Sequence, residues 1–312
     1  LESKGTLVNN QPPKRASYFR RTWMLYAMLL LPIAYFVVFR YIPMVNIAMA
    51  FKDYNMFKGV WESPWVGMHW FKQAFSSTDF FNALRNTIFL NVLDLIVGFP
   101  APVILAILLN ELTFKTYKRI TQTIVYMPHF LSWIIISGMA TQLFAPNGGV
   151  VNIALAQMGV GPIDFLMNPR LWVGTYVGLG LWKEVGWNTI IYLAAITGIN
   201  AELYEAAEVD GAGRMRKIWH VTLPGIRPTI VVLLIMNLGR ILGSEFDRPY
   251  TMGNSMVMQV ADVISTMVYR VGIRSYQFSF TAAIGLFQSV ICVIFLVAAN
   301  IIAKRSGERG IW

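Results

Sequence analysis

The sequence has little cysteine, little histidine and little charge, and each shortage closes a route. One cysteine, Cys292, stands alone in 312 residues, so it can form neither an internal disulfide nor a thiolate metal cluster. In an apolar run it reads as a small packing residue. The three histidines, His69, His129 and His220, are scattered rather than set at ligand spacing, and no metal site is expected. No His-Glu-x-x-His or Gly-x-Ser-x-Gly run occurs, which argues against an intramembrane protease or acyltransferase. A Gly-x-x-x-x-Gly-Lys-Ser/Thr run is also missing, so the chain lacks the usual phosphate-cradling loop for ATP. Charged residues make up 13% of the chain, about half the share of a soluble domain.

Apolar surface is what the chain has in excess: 56% of residues are hydrophobic and the mean hydropathy is +0.52. Several runs reach the roughly 18 to 25 residues that cross a bilayer as a helix, and none alternates in the manner of a membrane barrel strand. The expectation is an all-α integral membrane protein with six transmembrane helices. They fall at about Thr22 to Phe39, Leu84 to Leu109, Ile120 to Phe144, Leu171 to Ile199, Pro224 to Leu242 and Phe280 to Ala303. Residues 1–21 then form an N-terminal tail, marked by Pro12-Pro13, residues 22–303 the transmembrane domain, and residues 304–312 a C-terminal tail. The first apolar run is followed by no small-residue cleavage site and reads as a retained span.

An even number of spans puts both ends on one side. The segments on that side, 1–21, 110–119, 200–223 and 304–312, carry 14 Lys and Arg in 64 residues, against 8 in 106 for 40–83, 145–170 and 243–278. The positive-inside rule therefore places both termini in the cytoplasm. This distribution also accounts for the net charge of +10 without a nucleic-acid partner. Arg20 and Arg21 before Trp23, and Lys304 and Arg305 after the last span, occupy lipid headgroup anchor positions.

The one long connection on the basic side runs from 201 to 224. Up to Asp210 it is rich in Glu and Ala and reads as a short helix. Gly211 and Gly213 then permit a sharp turn, a second helical piece carries Met215, Ile218 and Trp219, and Pro224 opens the fifth span from its first turn. Two short helices joined by a glycine turn make a docking knob.

The order Glu205-Ala206-Ala207, three residues, Gly211, nine residues, Val221, one residue, Leu223-Pro224 resembles the EAA loop of binding-protein-dependent ABC importer permeases. Val221 alone departs, where Ile is usual. Gly149-Val150-Val151-Asn152 with Asp164-Phe165-Leu166 resembles that family's outer loop. The stretch ADVISTMVYRVGI and the final span resemble its polysaccharide and oligosaccharide branch, alginate importers included. The resemblance implies a type I importer permease in a bacterial inner membrane, paired with a second permease, two ATPase subunits and an extracytoplasmic solute-binding protein. It implies no chemistry on this chain and no cofactor of its own, ATP and Mg being held by the ATPases. Glu205, Ala206, Ala207, Glu208, Gly211, Leu223 and Pro224 would couple to an ATPase. The small alanines suit close approach, and Glu205 and Glu208 at i and i+3 share a helix face.

By the same resemblance the substrate path falls on His129, Trp133, Lys183, Trp187, Asn237, Arg240 and Ser244. Read from the residues, Asn237, Arg240 and Ser244 at i, i+3 and i+7 share one face of a continuous helix, and Trp182 and Trp187 offer flat surfaces to sugar rings. The oligosaccharide is expected to be acidic, because Arg240 brings a cation to that face and a guanidinium matches a carboxylate in two hydrogen bonds. Three alternatives stay open here. Glu245, Asp247 or an acid on the partner permease neutralises Arg240; Lys183 and Glu184 pair with each other; and Asp94 and His129 serve packing. A neutral oligosaccharide or another solute remains the alternative cargo, and a secondary transporter the rival class, though no inverted repeat is detectable.

Overall fold

A computed structural model describes residues 15–243, 245–307 and 310–311, with side chains from Thr22 onward. The expected tail before residue 15, the anchor side chains of Arg20 and Arg21, and Ser244 lie outside the described residues. Among those residues no sheet forms, only two isolated bridges. The first helix, α1 (Arg15–Phe36), continues through a π turn at Val37–Tyr41 into a 3-10 segment at Ile42–Phe51. It is exposed at every residue from Trp23 to Ile47, and its far end packs on the rest of the chain through Ala50, against Phe71 and Ala283.

The next span starts where Ser77 caps the Phe80 amide and Asp79 faces the helix dipole. It runs as α2 (Thr78–Gly98) and, past a break at Phe99-Pro100, as α3 (Pro100–Asn110). Helices α4 (Lys115–Tyr126) and α5 (Trp133–Leu143) follow. The expected third span is not one rod: its two halves are bent by 102° around Pro128 to Ser132. Proline at 128 removes an amide donor, and Ser132 caps the new helix through Ile135 N. Asn168 and Pro169 start the 29-residue α6 (Pro169–Thr197), a helix start of the expected type.

The knob is α7 (Ala201–Val209) followed by helical turns from Arg214 that run without interruption into α8 (Leu223–Leu238). Its second piece is therefore the extension of the span, and Pro224 lies inside a 25-residue helix from Arg214 to Leu238. A short α9 (Asp247–Met252) and the last span α10 (Phe278–Arg305) complete the frame. Among the described residues, four helices are both long and apolar enough to cross a membrane, and five if the bent pair is one span. Helix α6 has the length, but Arg170, Lys183, Glu184 and its glycines leave it less apolar than the others.

Three further apolar clusters tie the helices together. Val103, Ala106, Tyr192, Ile196 and Ile226 join α3, α6 and α8. Phe80, Ala83, Ile264, Phe280 and Ile284 join α2 to α10. Leu90, Trp133, Trp172, Tyr176 and Met252 join α2, α5, α6 and α9. Where α6 crosses α4 the backbones nearly touch: a Cβ on Gly186 would stand 1.9 Å from Val125 O.

Candidate translocation cavity and coupling surface

Between α2, α3, α6 and the chain after α8 lies a cavity of about 430 Å³, within the range of small-molecule sites. Its wall depends on a departure from the expected helix. Helix α8 stops at Leu238, and Gly239 to Gly243 turn in tighter steps, with Arg240 N donating to Asn237 O and Gly243 N to Arg240 O. Gly239 lets Leu296 pack close, a Cβ there falling 2.7 Å from its Cδ1. Carbonyls freed by the unwinding are capped by side chains: Asn91 Nδ2 donates to Ile241 O at 2.7 Å, and Gln288 Nε2 donates to Leu242 O. Unwound backbone at membrane depth is tolerated where protein groups satisfy it in this way. Asn237 and Arg240 thus do not share one continuous helix face, but both line the cavity. Asn237 Nδ2 bonds back to Leu233 O. Arg240 is exposed and forms no ion pair among the described residues.

The carboxylates are already engaged. Glu245 Oε1 accepts from Trp133 Nε1 at 2.5 Å, not from Arg240. Glu184 Oε2 lies 3.1 Å from His129 Nδ1, and its other oxygen 3.6 Å from Lys183 Nζ, so the expected Lys183–Glu184 pair is present. Asp94 takes two hydrogen bonds from Arg248, at 2.6 and 3.2 Å, and so carries an ion pair, not merely packing contacts.

The other expected path residues, His129, Trp133, Lys183 and Trp187, do not line this cavity. Trp133, 4% exposed, is core, with Arg248 and Lys183 over its ring at 5.2 and 5.8 Å. Lys183 is buried and donates to His129 O at 2.6 Å, capping a carbonyl that the bend in span three leaves free. Trp187 stacks face to face on His129, centroids 4.4 Å apart. Sequence reasoning missed Arg248, Asn91 and Gln288. Arg248 follows the expected end of span five and reads as loop, yet Asp94, deep in span two, calls for a cation at the same depth.

The knob is held from within. Gly211 has φ +74, the left-handed region glycine favours, and Asn200 caps α7 through Glu202 N. Tyr204 hydroxyl and Thr222 Oγ1 lie 3.0 Å apart, fixing α7 to the start of the span. Glu208 accepts from Lys217 at 3.0 Å, while Glu205 is exposed. Around it Leu203, Val209, Met215 and Trp219 are exposed, an apolar rim on a charged loop. In the outer loop, Asn152 is buried and staples Ala145 O and Ile163 O. Beyond the spans Phe246, Tyr250 and Tyr269 cluster, and hydrogen bonding from Arg274 holds the Tyr269 hydroxyl below its ordinary pKa.

Residues 76–307 match the family model described as binding-protein-dependent transport system inner membrane component. Protein LplB of Bacillus subtilis (strain 168) is 44% identical over 297 residues, 95% of this chain and 93% of that protein. The polygalacturonan/rhamnogalacturonan transport system permease protein YteP of the same organism is 42% identical, over 92% and 90% of the two chains. A chain in the crystal structure of a bacterial alginate ABC transporter, in complex with an alginate pentasaccharide-bound periplasmic protein, is 39% identical. It superposes with a TM-score of 0.87 over 96% of this chain and 100% of that one. A second bacterial ABC transporter structure, involved in import of the acidic polysaccharide alginate, gives 40% and 0.86, over 93% and 98%.

Proposed function

The chain belongs to the family of binding-protein-dependent transport system inner membrane components, and on that premise we propose that it is the membrane subunit of an ATP-driven importer of acidic oligosaccharides. It sits in a bacterial inner membrane with both termini in the cytoplasm, crossing six times with α6 as a span shielded by its neighbours. A second permease, two ATPases and an extracytoplasmic solute-binding protein complete the machine. ATP and Mg belong to the ATPases, and this chain does mechanical work only. The knob at 201–224 lies in an ATPase cleft, and nucleotide-driven closure shifts the balance between inward-facing and outward-facing states through contacts that differ between them.

The observation that carries the acidic cargo is Arg240, a cation on the cavity wall with no ion pair among the described residues. A charge at that depth costs about 2.5 to 3.5 kcal/mol on insertion scales, and a planar guanidinium answers a uronate carboxylate in two hydrogen bonds. The names of YteP and of the alginate transporters point to uronate polymers as the cargo of those relatives. Asn237 stands beside Arg240 for hydroxyl groups, while Lys183 and His129 hold Glu184 on the wall, Trp133 packs in the core and Trp187 stays exposed. The test is uptake by the whole importer in proteoliposomes. Arg240→Gln is expected to lower oligouronate uptake about tenfold, the worth of one charge-assisted bond, with assembly and basal ATPase activity unchanged. Unaltered uptake, or a solute-binding protein that takes neutral sugars only, overturns the reading.

A further inference from the structure

Arg248 is held as a flat cation would be held for a ligand. Its guanidinium lies 3.6 Å from the centre of the Tyr176 ring and 5.2 Å from that of Trp133. A Cβ on Gly180 would fall 2.1 Å from one of its nitrogens, so only glycine lets the side chain cross α6 at this point. The Tyr176 carbonyl accepts from Nη2 at 2.5 Å. None of this platform belongs to α2. The guanidinium would stay in place if Asp94 withdrew, because α5, α6 and α9 supply everything but the counter-charge.

Asp94 supplies that counter-charge from across the cavity, and the fit is partial. It bonds Nη1 and Nη2, while Nε, buried, has no acceptor among the described residues. A guanidinium offers five donors, and a buried donor left without a partner is costly. The Asp94 side chain is 30% exposed where that of Arg248 is 7%, and both line the cavity that Arg240 lines. The nearby Glu245 does not compete, being engaged by the Trp133 indole. The pair is therefore a carboxylate on a prepared cation, open to the transport cavity on the carboxylate side.

We infer that Asp94 is an internal stand-in for a substrate carboxylate, and that Arg248 is a second carboxylate-binding residue of the path, from which a uronate displaces Asp94. The inference rests on the acidic-oligosaccharide reading. It adds a consequence: loss of the Asp94–Arg248 pair removes the polar tie between α2 and α9 and leaves the apolar contact of Leu90 with the Met252 cluster, so the cargo itself loosens one closure of the cavity.

The test is equilibrium binding of a labelled oligouronate to the purified complete importer in detergent. Asp94→Asn removes the internal competitor and is expected to tighten binding several-fold. Arg248→Lys keeps the charge and a pair with Asp94 but loses the fork, and is expected to weaken binding about tenfold. A purely structural pair gives the opposite pattern: Asp94→Asn then weakens or leaves unchanged the affinity, and Arg248→Lys leaves it unchanged, either of which overturns the inference. Should Asp94→Asn fail to assemble, the Arg248→Lys measurement decides alone. Wild-type importer that binds no oligouronate, while binding a carboxyl-reduced neutral analogue, defeats the acidic reading itself, an outcome distinct from an oligouronate affinity indifferent to both variants.

Discussion

At the scale of single residues, glycine in α6 separates two physical roles that the sequence prints alike. Gly186 faces the Val125 carbonyl with no room for a Cβ, whereas a Cβ on Gly178 meets nothing within 4 Å. Gly186→Ala must push two backbones apart and is expected to destabilise the protein by about 1 to 3 kcal/mol. Gly178→Ala is expected to be neutral or to stabilise by up to about 1 kcal/mol, through the lower entropy of the unfolded chain. Thermal unfolding in detergent reads both, and equal effects would mean that the α4–α6 crossing does not set the limit. The same scale shows which site residues the sequence makes legible. Arg240 and Asn237 are legible because charge and amide inside an apolar run stand out. Arg248 is not, since its meaning comes from Asp94, 154 positions away, and nothing local to Phe246-Asp247-Arg248 announces a helix that folds back into the bundle. The stapling of the outer loop by Asn152 is hidden for the same reason: its acceptors, Ala145 O and Ile163 O, are 7 and 11 positions away.

At the scale of elements, the positions of the helices are legible and their interruptions are not. Long apolar runs fix where helices lie, but the 102° bend at Pro128 to Ser132 and the unwinding after Leu238 depend on who caps the freed carbonyls. Those caps are Lys183, Asn91 and Gln288, each from a distant helix. The knob is more fully legible because its determinants are local: a cap at Asn200, helix formers to Val209 and a left-handed Gly211. Its exposed rim yields a prediction. A Cβ at Gly211 would meet nothing within 4 Å, and aspartate tolerates that backbone region better than most residues. Gly211→Asp should therefore leave this chain folded and act on what docks there. Glu205→Lys reverses one exposed acid while leaving the Glu208–Lys217 pair intact. Both variants are expected to abolish transport or detach the ATPase in co-purification, with the membrane subunit still folded. Transport at the wild-type rate in both would remove the knob from the coupling path.

At the scale of the whole molecule, the chain is visibly one part of something larger. Helix α1 and its continuation expose apolar side chains on every side from Trp23 to Ile47, and the knob presents Val209, Met215 and Trp219 to solvent. One surface calls for lipid or a second membrane subunit, and the other for a protein on the far side of the headgroups. No group of three or more His, Cys, Asp or Glu poised to hold a metal occurs among the described residues, and the sequence carries no phosphate-cradling loop. On the proposed reading, the energy for moving an acidic sugar enters through a partner ATPase docked at the knob. Purified alone, the chain is expected to hydrolyse no ATP. Reconstituted with its second permease and its ATPases, it is expected to support hydrolysis that rises when sugar-loaded binding protein is added, because only the loaded protein has differential affinity for the outward-facing state. Phosphate release followed across that series is the measurement. Turnover by the isolated chain, or hydrolysis in the full assembly indifferent to the loaded binding protein, would mean that the cavity and the knob are not two ends of one coupled device.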